Sequence, residues 1–101
     1  MASRLELHSK LKSILGSNNV YFQPPESIKM HYPAIVYSLA TIKKLPADDL
    51  SYLKYRAYTI ILIDQNPDSA FVDKILDLPM CNFDRAYAGD NLNHWAFTIF
   101  Y

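Results

Sequence analysis

Three residue types that can carry out nucleophilic catalysis occur together in the last quarter of the sequence. Cys81 is a potential nucleophile, His94 is a potential base, and Asp84 or Asp90 could orient the histidine. Such a nucleophile usually lies on a glycine-rich elbow or within a flanking signature, and neither surrounds Cys81. We therefore expect Cys81 to be a small buried apolar residue, and we expect the protein not to be an enzyme.

The histidines and glycines do not follow the spacing of a metal or cofactor site. His8, His31 and His94 are scattered, with no pair at i, i+4 and no Cys-x-x-Cys sequence. Gly16 and Gly89 are the only glycines, so the chain has no phosphate-binding loop. The sequence predicts no metal and no cofactor, with the histidines at the surface or partly buried.

The polar residues Asp90, Asn91 and Asn93 are better explained as a turn than as a reaction centre. Asp and Asn side chains bond to their own backbone and tolerate turn geometry. Here they stand in "AGDNLN", just before alternating apolar residues. We expect a hairpin loop longer than two residues, after which His94 begins the last strand. On that strand His94 should share a face with Ala96, Thr98 and Phe100.

The composition restricts the class of protein. The 101 residues are 50% hydrophobic, and ten basic residues balance ten acidic ones. A neutral chain lacks the broad positive field that grips nucleic acid and the polybasic stretch that binds anionic membranes. No apolar run approaches the roughly 20 residues of a membrane span. We expect one soluble intracellular domain that covers residues 1–101.

The first half of the chain predicts one helix and two strands. Residues 3–15 carry a helical apolar stripe, begin with a capping pair of Ser3 and Glu6, and are followed by glycine. A short strand in "NVYFQPP" stops at its prolines, and a full strand covers 33–41. The charged segment 42–50, "IKKLPADDL", should be an exposed turn.

The second half predicts a long strand, a helix and a terminal hairpin. The strand at 51–64 is apolar on both faces from Thr59 to Ile63, as in a strand covered on two sides. A helix capped by Asn66 follows in "DQNPDSAFVDKILDLP", and "MCNFDRAY" pairs with "HWAFTIFY". The order α-β-β-β-α-β-β predicts a single α+β domain, with two helices packed on a mainly antiparallel sheet. Six residues should be buried: Leu11, Ile14, Ile61, Phe71, Ile75 and Phe97.

The loop 42–50 and the outer end of the following strand form the candidate subunit interface. The segment "YLKYRAY" interleaves basic and aromatic residues, a pattern that can stack nucleic-acid bases and that also suits protein interfaces. Because backbone binding needs net positive charge, the neutral total favours a protein partner or a solvated face. A hairpin tip that contacts nothing is the alternative. The candidate contact residues are Lys43, Lys44, Asp48, Asp49, Tyr52, Lys54 and Arg56.

Three stretches together resemble small phage and prophage proteins of the tail-completion or tail-terminator type. They are "NVYFQPPESIKMHYPAIVYS", "YRAYTIILIDQNPDS" and "DKILDLPMCNFDRAYAGDNLNHWAFTIFY", and they cover nearly the whole chain. The predicted element order is also similar to the terminator fold. The resemblance implies a hexameric ring that caps the finished tail tube of a long-tailed phage and joins it to the head connector, with no catalytic motif.

The same resemblance implies the partners and the location. The partners would be further copies of the chain, the tail tube protein and the head–tail connector proteins. Phage DNA would pass through the ring, without sequence-specific binding. The location would be the tail or neck of the virion, and the host bacterial cytoplasm during assembly. Two alternatives stay open: another neck or head–tail connector protein, and a small nucleic-acid-binding or regulatory module.

Overall fold

The computed structural model describes residues 4–25, 27, 29–46 and 52–101. No helix within these residues is long and apolar enough to cross a membrane. The elements are α1 (Arg4–Leu15), β1 (Val20–Phe22), β2 (Ala34–Pro46), β3 (Tyr52–Asp64), α2 (Phe71–Leu76), β4 (Cys81–Gly89) and β5 (Leu92–Phe100).

The five strands form one mixed sheet in the order β1-β2-β3-β5-β4. β1 runs parallel to β2, and the other three neighbouring pairs are antiparallel. The parallel pair is possible because the chain between residues 23 and 33 returns to the other end of the sheet before β2 begins. The predicted α+β class, with two helices and a mostly antiparallel sheet, is confirmed.

Both helices pack on the same face of the sheet. α1 buries Leu7, Leu11 and Leu15, which are spaced four residues apart and form one stripe along the helix. α2 contributes Ile75 to the same core. The sheet contributes alternate residues of its three central strands, as the side-chain alternation of strands requires. These are Ile35, Tyr37, Tyr58, Ile60, Leu62, Phe97 and Ile99.

Five of the six residues predicted to be buried lie in or against this core. Leu11, Ile75 and Phe97 are fully buried, and Ile14 and Phe71 are partly buried against them. Ile61 lies on the opposite face of the sheet, beside its strand neighbours Val36 and Ala96, and is partly exposed. Both helices cover the other face, while Ala57 and Ile63 of β3 are buried on the same face as Ile61. β3 is the central strand as expected, and the burial of its second face is partial.

The largest departure from the sequence prediction concerns residues 42–46. They were expected in an exposed turn, but β2 continues through them and pairs residue by residue with Tyr52–Arg56 of β3. Pairing satisfies the backbone N–H and C=O groups of both segments. Polar and charged side chains are tolerated there because neither face enters the core. β2 therefore covers 34–46 rather than 33–41.

α2 is shorter than predicted and is not capped by Asn66. The helix begins after Ala70, which makes no side-chain capping bond. Asn66 instead uses its Oδ1 to accept the backbone N–H of Asp68 at 3.0 Å, while Asp64 Oδ1 accepts the N–H of Asn66 at 3.1 Å. Two successive side-chain turns thus hold this segment outside the helix.

β4 and β5 are joined by a turn of only two residues. Asp90 and Asn91 have φ angles of 52° and 63°, both in the left-handed region that a type I′ turn requires. Gly89 pairs directly with Leu92. The prediction of a loop longer than two residues is therefore wrong, while the assignment of Asp90 and Asn91 to a turn is confirmed.

Asn93 and His94 belong to β5 and not to the turn. The side-chain Nδ2 of Asn93 donates to the carbonyl oxygens of Asp64 at 3.4 Å and Gln65 at 3.3 Å. These bonds tie the terminal hairpin to the loop after β3, so the turn interpretation of Asn93 is wrong. The strand register places His94 on the face opposite the helices, which it shares with Ala96, Thr98 and Phe100 as predicted.

The boundaries of α1 agree with the sequence where they are described. The helix ends at Leu15, and Gly16 has a φ of 72°, the left-handed conformation expected of a terminating glycine. Ser3 lies outside the described residues, and so does its predicted capping contact with Glu6.

Candidate interaction surface

The outer parts of β2 and β3 project beyond the rest of the sheet. β1 pairs with β2 only at residues 35–37, and β5 pairs with β3 only from Ala57 onward. Within the described parts of the chain, residues 42–46 and 52–56 therefore pair as strands only with each other, and we call this two-stranded segment the arm. The arm contributes to the elongated shape of the molecule, which measures 52 × 26 × 23 Å.

The strand register divides the candidate contact residues between the two faces of the arm. Lys43 lies opposite Tyr55 on the face that continues the open side of the sheet. Lys44 lies opposite Lys54, with Arg56 on the same face, and this face continues the helix side. The predicted contact residues thus do not form a single patch. They give the arm a positive charge on both faces.

The remaining candidate residues are only partly described. Asp48 and Asp49 lie outside the described residues, and Tyr52 is described by its backbone pairing with Pro46. Each of the four basic candidates belongs to the arm, and three of them, the lysines, are exposed. The sequence assigned the wrong secondary structure to half of this segment, and its role as an interface stays a prediction.

The arm and its root also expose apolar side chains that the sequence argument did not single out. Ile42 is 52% exposed, Tyr55 is 38% exposed, and Met80 at the root is 65% exposed. Tyr55 and Met80, together with Lys43 and Phe100, line a groove of about 290 Å³. Met80 has a φ of 61°, a conformation that costs a residue with a side chain on the order of 1–2 kcal/mol. A folded monomer gains little from displaying these groups.

The physical chemistry of such an arm favours contact with another protein. A two-stranded ribbon alone is marginally stable in water, and its outer edges carry unpaired backbone groups. Tyrosine and arginine are enriched at interfaces, where one end of the side chain packs and the other hydrogen-bonds. The arm is a two-stranded ribbon that contains both residue types.

The structure does not assemble the catalytic set suggested by the sequence. Cys81 lies opposite Ile99 on the helix face, whereas His94 lies near the other end of β5 on the open face, about 17 Å away along the strand. Burial, and then the charge of Asp84, raise the pKa of the Cys81 thiol to about 11, so the thiolate is scarce at neutral pH. Asp84 accepts a hydrogen bond from Thr98 Oγ1 at 2.6 Å.

No group of three metal-ligating side chains comes together within the described residues. His8 and His94 each contact a tyrosine side chain. His8 Nδ1 lies 2.6 Å from the hydroxyl of Tyr37. The His94 ring stacks on Tyr87 with ring centres 4.7 Å apart and an angle of 5° between the planes.

A polar cluster between α1 and β2 was not foreseen from the sequence. The hydroxyl of the buried Tyr37 accepts a bond from Arg4 at 3.1 Å and contacts His8. The Arg4 guanidinium also lies 4.2 Å from the centre of the Phe22 ring. Burial, followed by the positive charges of Lys12 and Arg4, lowers the pKa of His8. A neutral His8 can accept a hydrogen bond from the Tyr37 hydroxyl. The cluster therefore links α1 to β2.

Comparison with known proteins adds no relative. The chain matches no protein-family model, and no curated protein matches it.

Proposed function

We propose that the chain is a structural subunit of a phage tail, a tail terminator or completion protein that forms a ring at the head-proximal end of the tail tube and joins the tube to the head connector. The observation that carries the proposal is the arm, a projecting ribbon with basic and apolar side chains outside the core. Such a segment adds little to the stability of a monomer, and its residue types are those found at contacts with another subunit. The assignment to a phage tail follows from the sequence resemblance.

The proposal includes partners and location. The subunit binds further copies of itself, as a homohexamer, and also the tail tube protein and the head–tail connector. It acts in the virion tail or neck after assembly in the bacterial cytoplasm, without cofactor or enzymatic activity, and phage DNA passes through the ring.

The first experiment tests assembly of the purified chain. Native mass spectrometry and negative-stain electron microscopy should show closed rings. Lys43→Glu with Lys54→Glu should prevent ring formation, because one reversal falls on each face of the arm. Lys10→Glu with Lys29→Glu is the control, since it changes the net charge equally outside the arm. If the arm variant formed rings as readily as the control, the arm would not be the assembly surface.

A second experiment tests the role in the tail. The gene is deleted from the phage or prophage that carries it, and the particles are examined by electron microscopy. A capping ring blocks further addition to the tube, so its loss should give tails of irregular length without heads. Tails of normal length that lack heads would instead indicate another neck or connector protein. Normal infectious particles would refute a role in the tail.

Met80 provides a test that separates assembly from folding. Asparagine tolerates the left-handed conformation better than methionine does. Met80→Asn should leave the free energy of unfolding unchanged or raise it by up to about 1 kcal/mol, while it removes an exposed apolar contact at the root of the arm. Rings that form less readily from a protein of equal or greater stability would support the proposal. Unchanged assembly would exclude the root groove from the interface.

A nucleic-acid-binding module is the second candidate, and the positive charge of the arm favours it. Four basic side chains, divided between its two faces, and Tyr55 occur in the arm, and these residue types can hold a nucleic-acid strand and stack its bases. Fluorescence anisotropy with single-stranded DNA distinguishes the two functions. Binding that falls steeply between low and moderate salt, and that disappears in the Lys43→Glu, Lys54→Glu variant, would favour this alternative.

A further inference from the structure

The charges of this neutral chain are separated along the sequence. Between residues 64 and 90 there are six acidic residues and two basic ones, a net charge of −4. Residues 42–56 carry four basic and two acidic residues, a net charge of +2. The two acidic residues, Asp48 and Asp49, lie outside the described residues. The acidic residues between 64 and 90 are Asp64, Asp68, Asp73, Asp77, Asp84 and Asp90.

β3 separates the two charged regions in space. The arm contains the first residues of β3, and Asp64 is the last residue of the same strand. A strand of this length spans about 40 Å, most of the 52 Å length of the molecule. Asp68 follows in the next loop, and Asp90 lies in the β4–β5 turn at the same end of the sheet, because Asp64 pairs with Asn93. The described residues therefore have a basic end, the arm, and an acidic end, which consists of Asp64, Asp68 and Asp90.

A cavity of about 310 Å³ lies at the acidic end. Its walls include Pro67, Tyr87, His94 and Trp95. Asp68 is the chain neighbour of Pro67. This volume lies at the lower limit of a small-molecule pocket and is of the size that one or two inserted side chains would fill.

The aromatic wall of the cavity is suited to a long cationic side chain. Tyr87 is 41% exposed and stacks flat on His94, so the pair presents a π surface that attracts a cation. Arg85 already lies 5.2 Å from the Tyr87 ring centre. The Nδ1 atom of His94 is shielded from solvent and has no hydrogen-bond partner among the described residues.

We infer that the basic arm of one copy docks in the cavity at the acidic end of the next copy. This inference rests on the self-assembly proposed above and identifies the surface that receives the arm. The stems of lysine or arginine side chains lie along Tyr87 and His94, and their charged groups face Asp68 and Asp90. The contact is head-to-tail, because two different surfaces meet, and it leaves a free arm and a free cavity at the ends of any open chain.

The test uses charge reversal at each end and the intrinsic fluorescence of Trp95. Trp95 is the single tryptophan of the chain and it lines the cavity, so its emission reports on docking. The arm variant is Lys43→Glu with Lys54→Glu. The acidic-end variant is Asp68→Lys with Asp90→Asn, in which asparagine preserves the left-handed turn position. The control Asp73→Asn with Asp77→Lys changes the charge by the same amount. Asp73 lies in α2 and Asp77 directly follows it, and neither lines the cavity.

Sedimentation velocity measures assembly, and fluorescence measures docking, over the same range of concentrations. The parent protein and the control should assemble with a change in Trp95 emission. Each end variant alone should need at least about tenfold more protein to assemble, because like charges now meet. An equimolar mixture of the two variants should recover both signals, since each reversed arm meets a reversed acidic end.

The outcomes separate this inference from the proposed function. If the arm variant loses assembly while the acidic-end variant assembles as readily as the control, or if Trp95 emission stays constant while the parent assembles, the docking site is wrong and the ring proposal stands. If the mixture fails to recover assembly that each variant has lost, the two ends do not meet each other. If Trp95 emission changes when the tail tube protein is added but not when copies of the chain associate, the cavity binds the tube protein and not the arm of a second copy. A parent that stays monomeric at every concentration overturns both this inference and self-assembly.

Discussion

Removal of one hydroxyl group should measure how strongly α1 is held to the sheet. Tyr37→Phe keeps the fully buried ring and deletes only the oxygen that contacts Arg4 and His8. A hydrogen bond to a charged group contributes about 1.5–3 kcal/mol and a neutral one about 0.5–1.5 kcal/mol. Arg4 and His8 are partly exposed and recover water when the hydroxyl is lost. We therefore expect a net loss of about 1–2 kcal/mol.

The assay is thermal and urea unfolding followed by circular dichroism. For a domain of this size each kcal/mol shifts the melting temperature by about 4–8 °C, so Tyr37→Phe should lower it by roughly 5–15 °C. Tyr58→Phe is the matched control, because the Tyr58 ring is also buried, while its hydroxyl makes no hydrogen bond to a described residue. The control should stay within about 0.5 kcal/mol of the parent.

Two results would refute this reasoning. Equal melting temperatures for Tyr37→Phe and Tyr58→Phe would show that the polar cluster does not stabilise the fold. A large loss in both variants would show that the hydroxyl bonds are not the cause. Because the change lies far from the arm, the folded fraction of Tyr37→Phe should still assemble.

The remaining predictions concern the core, the pH dependence and the thiol. Phe97→Ala should cost about 3–5 kcal/mol in urea unfolding, while Phe83→Ala, whose ring is 45% exposed, should cost clearly less. Because the folded protein lowers the pKa of His8 below 6.5, the unfolded chain binds more protons, and stability should fall as pH drops below 6.5. His8→Asn should flatten this part of the curve. Cys81 should react with Ellman's reagent at pH 8 far more slowly in the folded than in the unfolded protein, and equal rates would contradict its burial.

The features that the sequence predicted correctly are those with a local physical cause. The α1 stripe follows from helical periodicity, and its end follows from the freedom of Gly16 to adopt positive φ. β3 follows from a run of β-branched and aromatic residues. The position of Lys43, Lys54 and Arg56 outside the buried core follows from the polarity of their segment.

The features that the sequence did not predict depend on where a helix begins after its capping turn, or on contacts between residues far apart in the sequence. Asn66 accepts the Asp68 N–H as a helix cap would, but the chain does not continue as a helix until Phe71, and the sequence pattern does not show this delay. The pairing of residues 42–46 with β3 depends on register, which no single segment encodes. The His8–Tyr37 contact joins residues 29 positions apart, and neither residue type indicates the other.

The net charge of zero takes on a different meaning once the charges are placed on the fold. As a total, it argues against a surface that holds nucleic acid. As a separation between a basic arm and an acidic end, it suits a chain whose copies meet head-to-tail, because every contact then neutralises one positive and one negative surface. The same separation opposes the contact of two arms or of two acidic ends. A subunit with this polarity would favour one orientation over the other at each step of assembly, and a ring would close when the last free arm reached the last free cavity.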